Sequence, residues 1–147
     1  MNYSLINVGK VLDLFISKKD EAKRSKQMEI TVDKDGVIKD KFYAKDSQRS
    51  ILITTVESYE LANKSNIFLE KGELGENILI DYNPYHLSIG SKIILGKVIL
   101  EITQNCTLCK SLTKVDKQLP KLLKDDRGIF AKVIKSGIIK IDDTIYV

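Results

Sequence analysis

Apolar and polar residues alternate strictly from Met28 to Val32, the period of a strand with one buried face. Asp33-Lys34-Asp35-Gly36 follows as a turn, with Gly36 able to take positive φ, and Val37-Ile38 begins the return strand. Ile51-Leu52-Ile53 is a short apolar run between Ser50 and Thr54, and segments 77–80, 92–95, 97–103, 130–134 and 144–147 read as further strands. Gly96 interrupts the Ile- and Val-rich stretch 92–103, which predicts a bend or bulge there. A first strand is expected within residues 4–16.

Helical signals are few. Thr54 and Glu57 match a capping box and predict a two-turn helix over 56–63. Pro120 fits the first position of a helix over 120–126, with Leu122 and Leu123 turned inward. Many short strands with helices as local insertions make the chain mainly β, a closed or partly closed barrel. No repeat, low-complexity tract or linker divides it, so residues 1–147 are expected to form one domain.

Composition changes this picture little. With 43% hydrophobic and 30% charged residues, the chain has the make-up of a globular protein. No apolar run exceeds three residues, so no membrane-spanning helix is expected. Lys10 and Asp13 interrupt any N-terminal apolar region, so no signal peptide is expected and the reading is cytoplasmic. The net charge is +4, and much of it lies in segment 17–27, where Lys18, Lys19, Lys23, Arg24 and Lys26 face Asp20 and Glu21. Bases and acids are interleaved there without aromatics to stack on nucleobases, so the run reads as a solvated loop and no nucleic acid is expected. His86, between Tyr85 and Leu87, reads as a surface or strand-edge residue.

The chemistry centres on Cys106-Thr-Leu-Cys109. Without a secretory signal a structural disulfide is not expected. Zinc is not expected either, because only one distant histidine could complete the ligand set. A thioredoxin-like pair needs a long helix after the motif, and none is predicted. One reactive thiol, favoured as thiolate by Lys110 and Lys114, is a third reading. Two buried, inert cysteines are a fourth. On residues alone the last two stay open.

The order of motifs resembles a MOSC domain, the module named for the C-terminal part of molybdenum-cofactor sulfurases. The likeness runs through Arg49-Ser50-Ile51-Leu52-Ile53, Gly75-Glu76-Asn77-Ile78, Leu87-x-x-Gly90 with Ile93-x-Leu95-Gly96, and Glu101-Ile102-Thr103 leading into the cysteine pair. Arg127-Gly128-Ile129-Phe130-Ala131, Gly137 and Asp143-Thr-Ile145 complete it. The resemblance implies a MOSC-type β-barrel with a few short helices and a cleft for molybdenum cofactor (molybdopterin) or a sulfur-bearing intermediate. It makes Cys109 the molybdenum ligand or persulfide carrier, since the second cysteine matches the metal-binding one of related amidoxime-reducing enzymes.

Glu76 and Asn77 are then candidates for the pterin edge, with Gly72 and Gly75 allowing close backbone approach. Arg49 and Arg127, and more weakly Lys45, are candidates for the cofactor phosphate. Either arginine could instead pair with Asp46 or Asp126. Partners implied are molybdenum-cofactor biosynthesis or acceptor proteins, and pyridoxal phosphate binding attaches only to the family at large. Aligned through Ile38, the family's Gly-Asp and following His fall on Asp40-Lys41 and Tyr43. Two other functions stay open: a molybdenum-dependent reductase of N-hydroxylated compounds, and a thiol-redox or interaction protein without cofactor.

Overall fold

The computed structural model describes residues 5–21, 23–107 and 110–147. In chain order the strands are β1 (Asn7–Ile16), β2 (Ser25–Gln27), β3 (Glu29–Asp33), β4 (Gly36–Val37), β5 (Ile51–Thr55), β6 (Ile78–Ile80), β7 (Lys92–Leu95), β8 (Val98–Asn105), β9 (Ile129–Lys135), β10 (Gly137–Lys140) and β11 (Thr144–Tyr146). A 3-10 turn, Ser47–Arg49, precedes β5, and the helices are α1 (Val56–Lys64), α2 (Lys110–Val115) and α3 (Leu119–Leu122). Strands β1-β6-β5-β9-β8-β7-β11 close into a seven-stranded barrel, because β11 pairs back onto β1. Among the described residues only β5 and β6 run parallel, since α1 and a loop carry the chain back between them.

Alternation along these strands sends one set of side chains inward. Ile51, Ile53, Ile78, Ile80, Leu100 and Ala131 join the central core, and Ile30, Val32, Val37 and Ile139 of the small sheet β10-β3-β4 pack against it. The opposite faces of β1, β5 and β6 are covered too. Phe15 and Leu79 pack with Tyr59, Leu112, Leu119 and Leu123 in a helical layer outside the barrel. Cover on both sides explains why β5 is buried along its whole length and reads as a run rather than an alternation.

Several expectations shift. Gly96, at φ +64°, turns the predicted bend into a hairpin in which Leu95 pairs with Val98. β3 begins one residue late, leaving Met28 exposed. The capping box does not form: Thr55 takes the cap position without a side-chain bond, because the Thr54 hydroxyl is held by Glu76. α2 and β10 were not predicted, and α3 is shorter than expected. The basic run is only partly loop. Its residues 25–27 pair with β1, and Arg24 is largely buried. No helix among the described residues is long and apolar enough to cross a membrane.

Tyr43 ties the segment after β4 to β3 by donating to Asp33 Oδ2 at 2.6 Å. That hydrogen bond is the main reason its phenol is pushed up to about 12. With the native pKa raised, this tie stabilises the fold fully below the ordinary tyrosine pKa and is lost as pH climbs through the higher native one. The difference between the ultraviolet titrations of wild type and Tyr43→Phe is expected to be one tyrosinate step near 12; a difference step nearer 10 would contradict the tie.

Candidate cofactor site on the barrel wall

Leu52, Cys106 and Phe130 form a small apolar patch outside the barrel. Cys106 is buried, and its N–H donates to Gly128 O at 3.0 Å, so the chain leaving β8 stays against the start of β9. The Arg49 guanidinium lies 6.0 Å from the centre of the Phe130 ring, a cation–π contact at the patch edge.

Asn77 borders the same patch. Its Oδ1 accepts from Leu52 N at 3.1 Å and its own N–H donates to Leu52 O at 2.9 Å. Its Nδ2 donates to Phe15 O at 3.3 Å and more loosely to Asp40 Oδ1 at 3.4 Å. Asp40 is buried and also accepts from Ser17 N at 2.6 Å and Phe42 N at 3.0 Å. Lys39 before it has φ +75°, a conformation glycine favours.

Glu76 is completely buried beneath α1. Its Oε2 accepts from Tyr59 Oη at 2.5 Å and from Thr54 Oγ1 at 2.7 Å, while Tyr59 Oη accepts from Gly72 N at 2.9 Å. Burial pushes the Glu76 carboxyl up, opposed by these hydrogen bonds and by Arg24. Burial, then the Glu76 charge, raises the Tyr59 phenol, which keeps its proton as the donor. Arg127 is buried at the same place and donates from Nη2 to Leu74 O at 3.3 Å. Ser58 holds the neighbouring Asp126 carbonyl. The Arg24 guanidinium lies 3.6 Å from Asp40 Oδ1, its basicity lowered by desolvation and restored in part by Asp40 and Glu76.

Of the residues picked from the sequence, Asn77 bonds Leu52 of the Cys106 patch and Arg49 lies at its edge over Phe130, while Glu76 is buried under Tyr59 and Thr54 and Arg127 against the Leu74 carbonyl. Among the described residues no ion pair joins Arg49 to Asp46. Lys45 is exposed in the loop before the 3-10 turn, away from the cluster's contacts. Cys109 lies outside the described residues. Arg24, Tyr59 and Thr54, which lie with Glu76 and Asp40 in the structure, were not among the candidates picked from the sequence, whereas Asp40 was named there only through the family's Gly-Asp; the available signal for Arg24 was that it is the one arginine in a run of lysines. Among the described residues no three His, Cys, Asp or Glu side chains are grouped to hold a metal.

A separate cleft of about 600 Å3 opens beyond the ends of β5 and β6, among Glu57, Asp81, Asp126, Tyr82, Tyr85 and His86. His86 is exposed there and bonds Tyr82 Oη at 3.1 Å, the surface role expected of it. None of the site residues picked from the sequence lines this cleft.

A model of the MOSC domain matches residues 33–146. The chain belongs to the MOSC domain family. Its barrel superposes on the YuaD protein of Bacillus subtilis with a TM-score of 0.84 at 17% identity, covering 99% of this chain and 97% of that one. YiiM of Geobacillus stearothermophilus gives 0.75 at 15% identity, with 95% and 75% covered. YiiM of Escherichia coli gives 0.68 at 16%, with 94% and 69% covered. At such identities the likeness is one of fold. No match is found among curated proteins. MOSC domains are generally linked to molybdenum-cofactor-related function. In this MOSC domain Glu76, Asn77, Arg127, Asp40 and Cys106 all fall inside the matched stretch, whereas Arg24 precedes it.

Proposed function

We propose that this MOSC domain binds molybdenum cofactor or carries sulfur for it, with Cys109 as the thiolate that ligates molybdenum or bears sulfane sulfur. The observation that carries the reading is Cys106, three residues before Cys109 in the sequence, packed with Leu52 and Phe130 where Asn77 bonds Leu52 and Arg49 faces the Phe130 ring. A thiolate is a soft ligand suited to such a metal and a nucleophile suited to sulfur transfer.

The side chains that fit the cofactor are those at the edge of the patch. Arg49, whose guanidinium lies 6.0 Å from the centre of the Phe130 ring, would hold the phosphate, with Lys45 further out. Glu76 and Arg127 are buried and would shape the wall behind it. Asn77, whose amide is already engaged with backbone at both ends, keeps the 72–77 loop in register with β5. Bound there, the group supplies a metal centre able to exchange electrons and oxygen or sulfur ligands. The apolar patch of Leu52, Cys106 and Phe130 limits water at its side. Such a domain exchanges its load with proteins that make or accept the cofactor.

The test is elemental and mass analysis of protein made in a cofactor-producing host. Wild type is expected to carry molybdenum or one added sulfur atom, Cys109→Ser neither, and Cys106→Ser most of the wild-type load. Equal loading of wild type and Cys109→Ser would overturn the assignment.

A further inference from the structure

The cleft beyond the ends of β5 and β6 has a lining of one charge sign. Its volume of about 600 Å3 lies in the range of small-molecule sites. Its carboxylates come from separate parts of the chain. Glu57 lies in the first turn of α1, Asp81 follows β6, and Asp125 and Asp126 precede β9. No lysine or arginine lines the cleft, although Lys and Arg outnumber Asp and Glu by 24 to 20 in the chain. Among the described residues none of these carboxylates is in an ion pair. A concave wall of one sign focuses the field that draws in a counter-ion.

Carboxylates alone would make a solvated acidic surface, but here rings complete the wall. Tyr82 and His86 stand edge to face with 5.8 Å between ring centres, and Tyr82 Oη lies 3.1 Å from His86 Nε2. Tyr85 is fixed from behind: its Oη accepts from Thr55 N at 3.1 Å and pairs with Ser58 Oγ at 2.7 Å. Thr55 is itself fully buried, and its hydroxyl has no partner among the described residues, an unmet polar group at the end of β5 that borders the cleft. Asp81 is set by the backbone, since Lys10 N donates to its Oδ1 at 2.8 Å and a Cβ on Gly9 would collide with that oxygen. Aromatic rings beside carboxylates hold an organic ammonium through cation–π attraction and charge. Among the described residues no three His, Cys, Asp or Glu side chains are grouped to hold a metal, so the negative charge is spread along the cleft rather than gathered at a point.

We infer that this cleft binds a small organic polycation, a linear polyamine whose ammonium groups reach the separate carboxylates while its methylene chain lies against the rings. None of the residues assigned to the cofactor lines it, so failure of one reading leaves the other standing. The test is calorimetric titration of the purified full chain with spermidine and, separately, with magnesium ion. Wild type is expected to bind spermidine and to bind magnesium far more weakly. The double variant Glu57→Gln with Asp125→Asn is expected to bind spermidine about tenfold more weakly, from two lost ion pairs. Tyr82→Leu should lose about threefold, and Tyr82→Phe, which keeps the ring, should bind as wild type does. Glu29→Gln, an exposed change on β3 away from the cleft, should also leave binding unchanged. Should the double variant fail to fold, Asp125→Lys, at an exposed position, puts a like charge in the cleft and is expected to abolish binding.

A wild type that does not bind spermidine overturns the inference. So does magnesium bound as tightly as the polyamine, because a bare divalent ion has no use for the rings. Spermidine binding that survives the carboxylate variants, that Tyr82→Leu leaves unchanged, or that Glu29→Gln weakens as much as the double variant does, overturns it too.

Discussion

Glu76→Ala is expected to destabilise the fold by about 4 kcal/mol, from two stranded hydroxyls at ~1–3 kcal/mol each and a cavity. Tyr59 and Thr54 both donate to Glu76 Oε2, and neither has water to turn to once that oxygen is gone. Tyr59 also accepts from Gly72 N, so the disturbance spreads from α1 to the glycine loop that leads into β6. Against a total stability of about 5–15 kcal/mol for a typical domain, such a loss is severe. Glu76→Gln keeps shape and an acceptor and is expected to lose less than half as much.

The two variants also differ from wild type in pH dependence. Burial raises the native Glu76 pKa above its unfolded value. Its contribution is therefore greatest below the ordinary glutamate range and declines as pH rises through the native pKa. Urea denaturation across pH should show the gap between wild type and Glu76→Gln narrowing toward neutrality. An alanine variant within 1 kcal/mol of wild type, or a gap that widens with pH, would contradict this account; 1 kcal/mol here is roughly one ordinary hydrogen bond.

Gly128→Val is the second large effect, about 3 kcal/mol from overpacking. A Cβ at this position stands 2.9 Å from Leu52 Cδ1 and 3.2 Å from the Ile53 carbonyl oxygen. The leucine tip can move, but the β5 backbone is held between β9 and β6. Relief must come from shifting β9 outward. That shift breaks the Cys106 N–H bond to Gly128 O, where the cysteine segment is anchored. Gly128→Val should therefore lower both stability and the molybdenum or sulfur load, and Gly128→Ala should do the same to a smaller degree. A valine variant as stable as wild type with an undiminished load would show that the close approach has no consequence.

Much of the fold was legible because the strands carry their own period. Segments 92–95 and 144–147 were recognisable from apolar content and bounding turns, and α1 from a local pattern whose extent was right even though its capping reason was wrong. What misled was context. Thr54 three residues before Glu57 reads as a cap in sequence, but the buried carboxylate of Glu76 offers the hydroxyl a stronger partner. Arg24 reads as one base among five, and only its distance to Asp40 reveals that it points inward.

The sequence by itself determined the alternation that makes a barrel and the motif order that makes it a MOSC domain, and it offered Glu76, Asn77 and Arg127 as candidates. These follow from spacing along the chain, which a strand's two-residue period and a glycine's dihedral freedom translate directly into local structure. Tertiary structure alone decided that Glu76 lies sealed under Tyr59, that Asp40 and Asn77 join the ends of β1, β4 and β6, and that Arg24 belongs with them. Asn77 stands 37 residues from Asp40 and 62 from Phe15, the two groups its amide meets. Their selection depends on burial, which withdraws water and lets a distant carboxylate or amide outcompete every local partner.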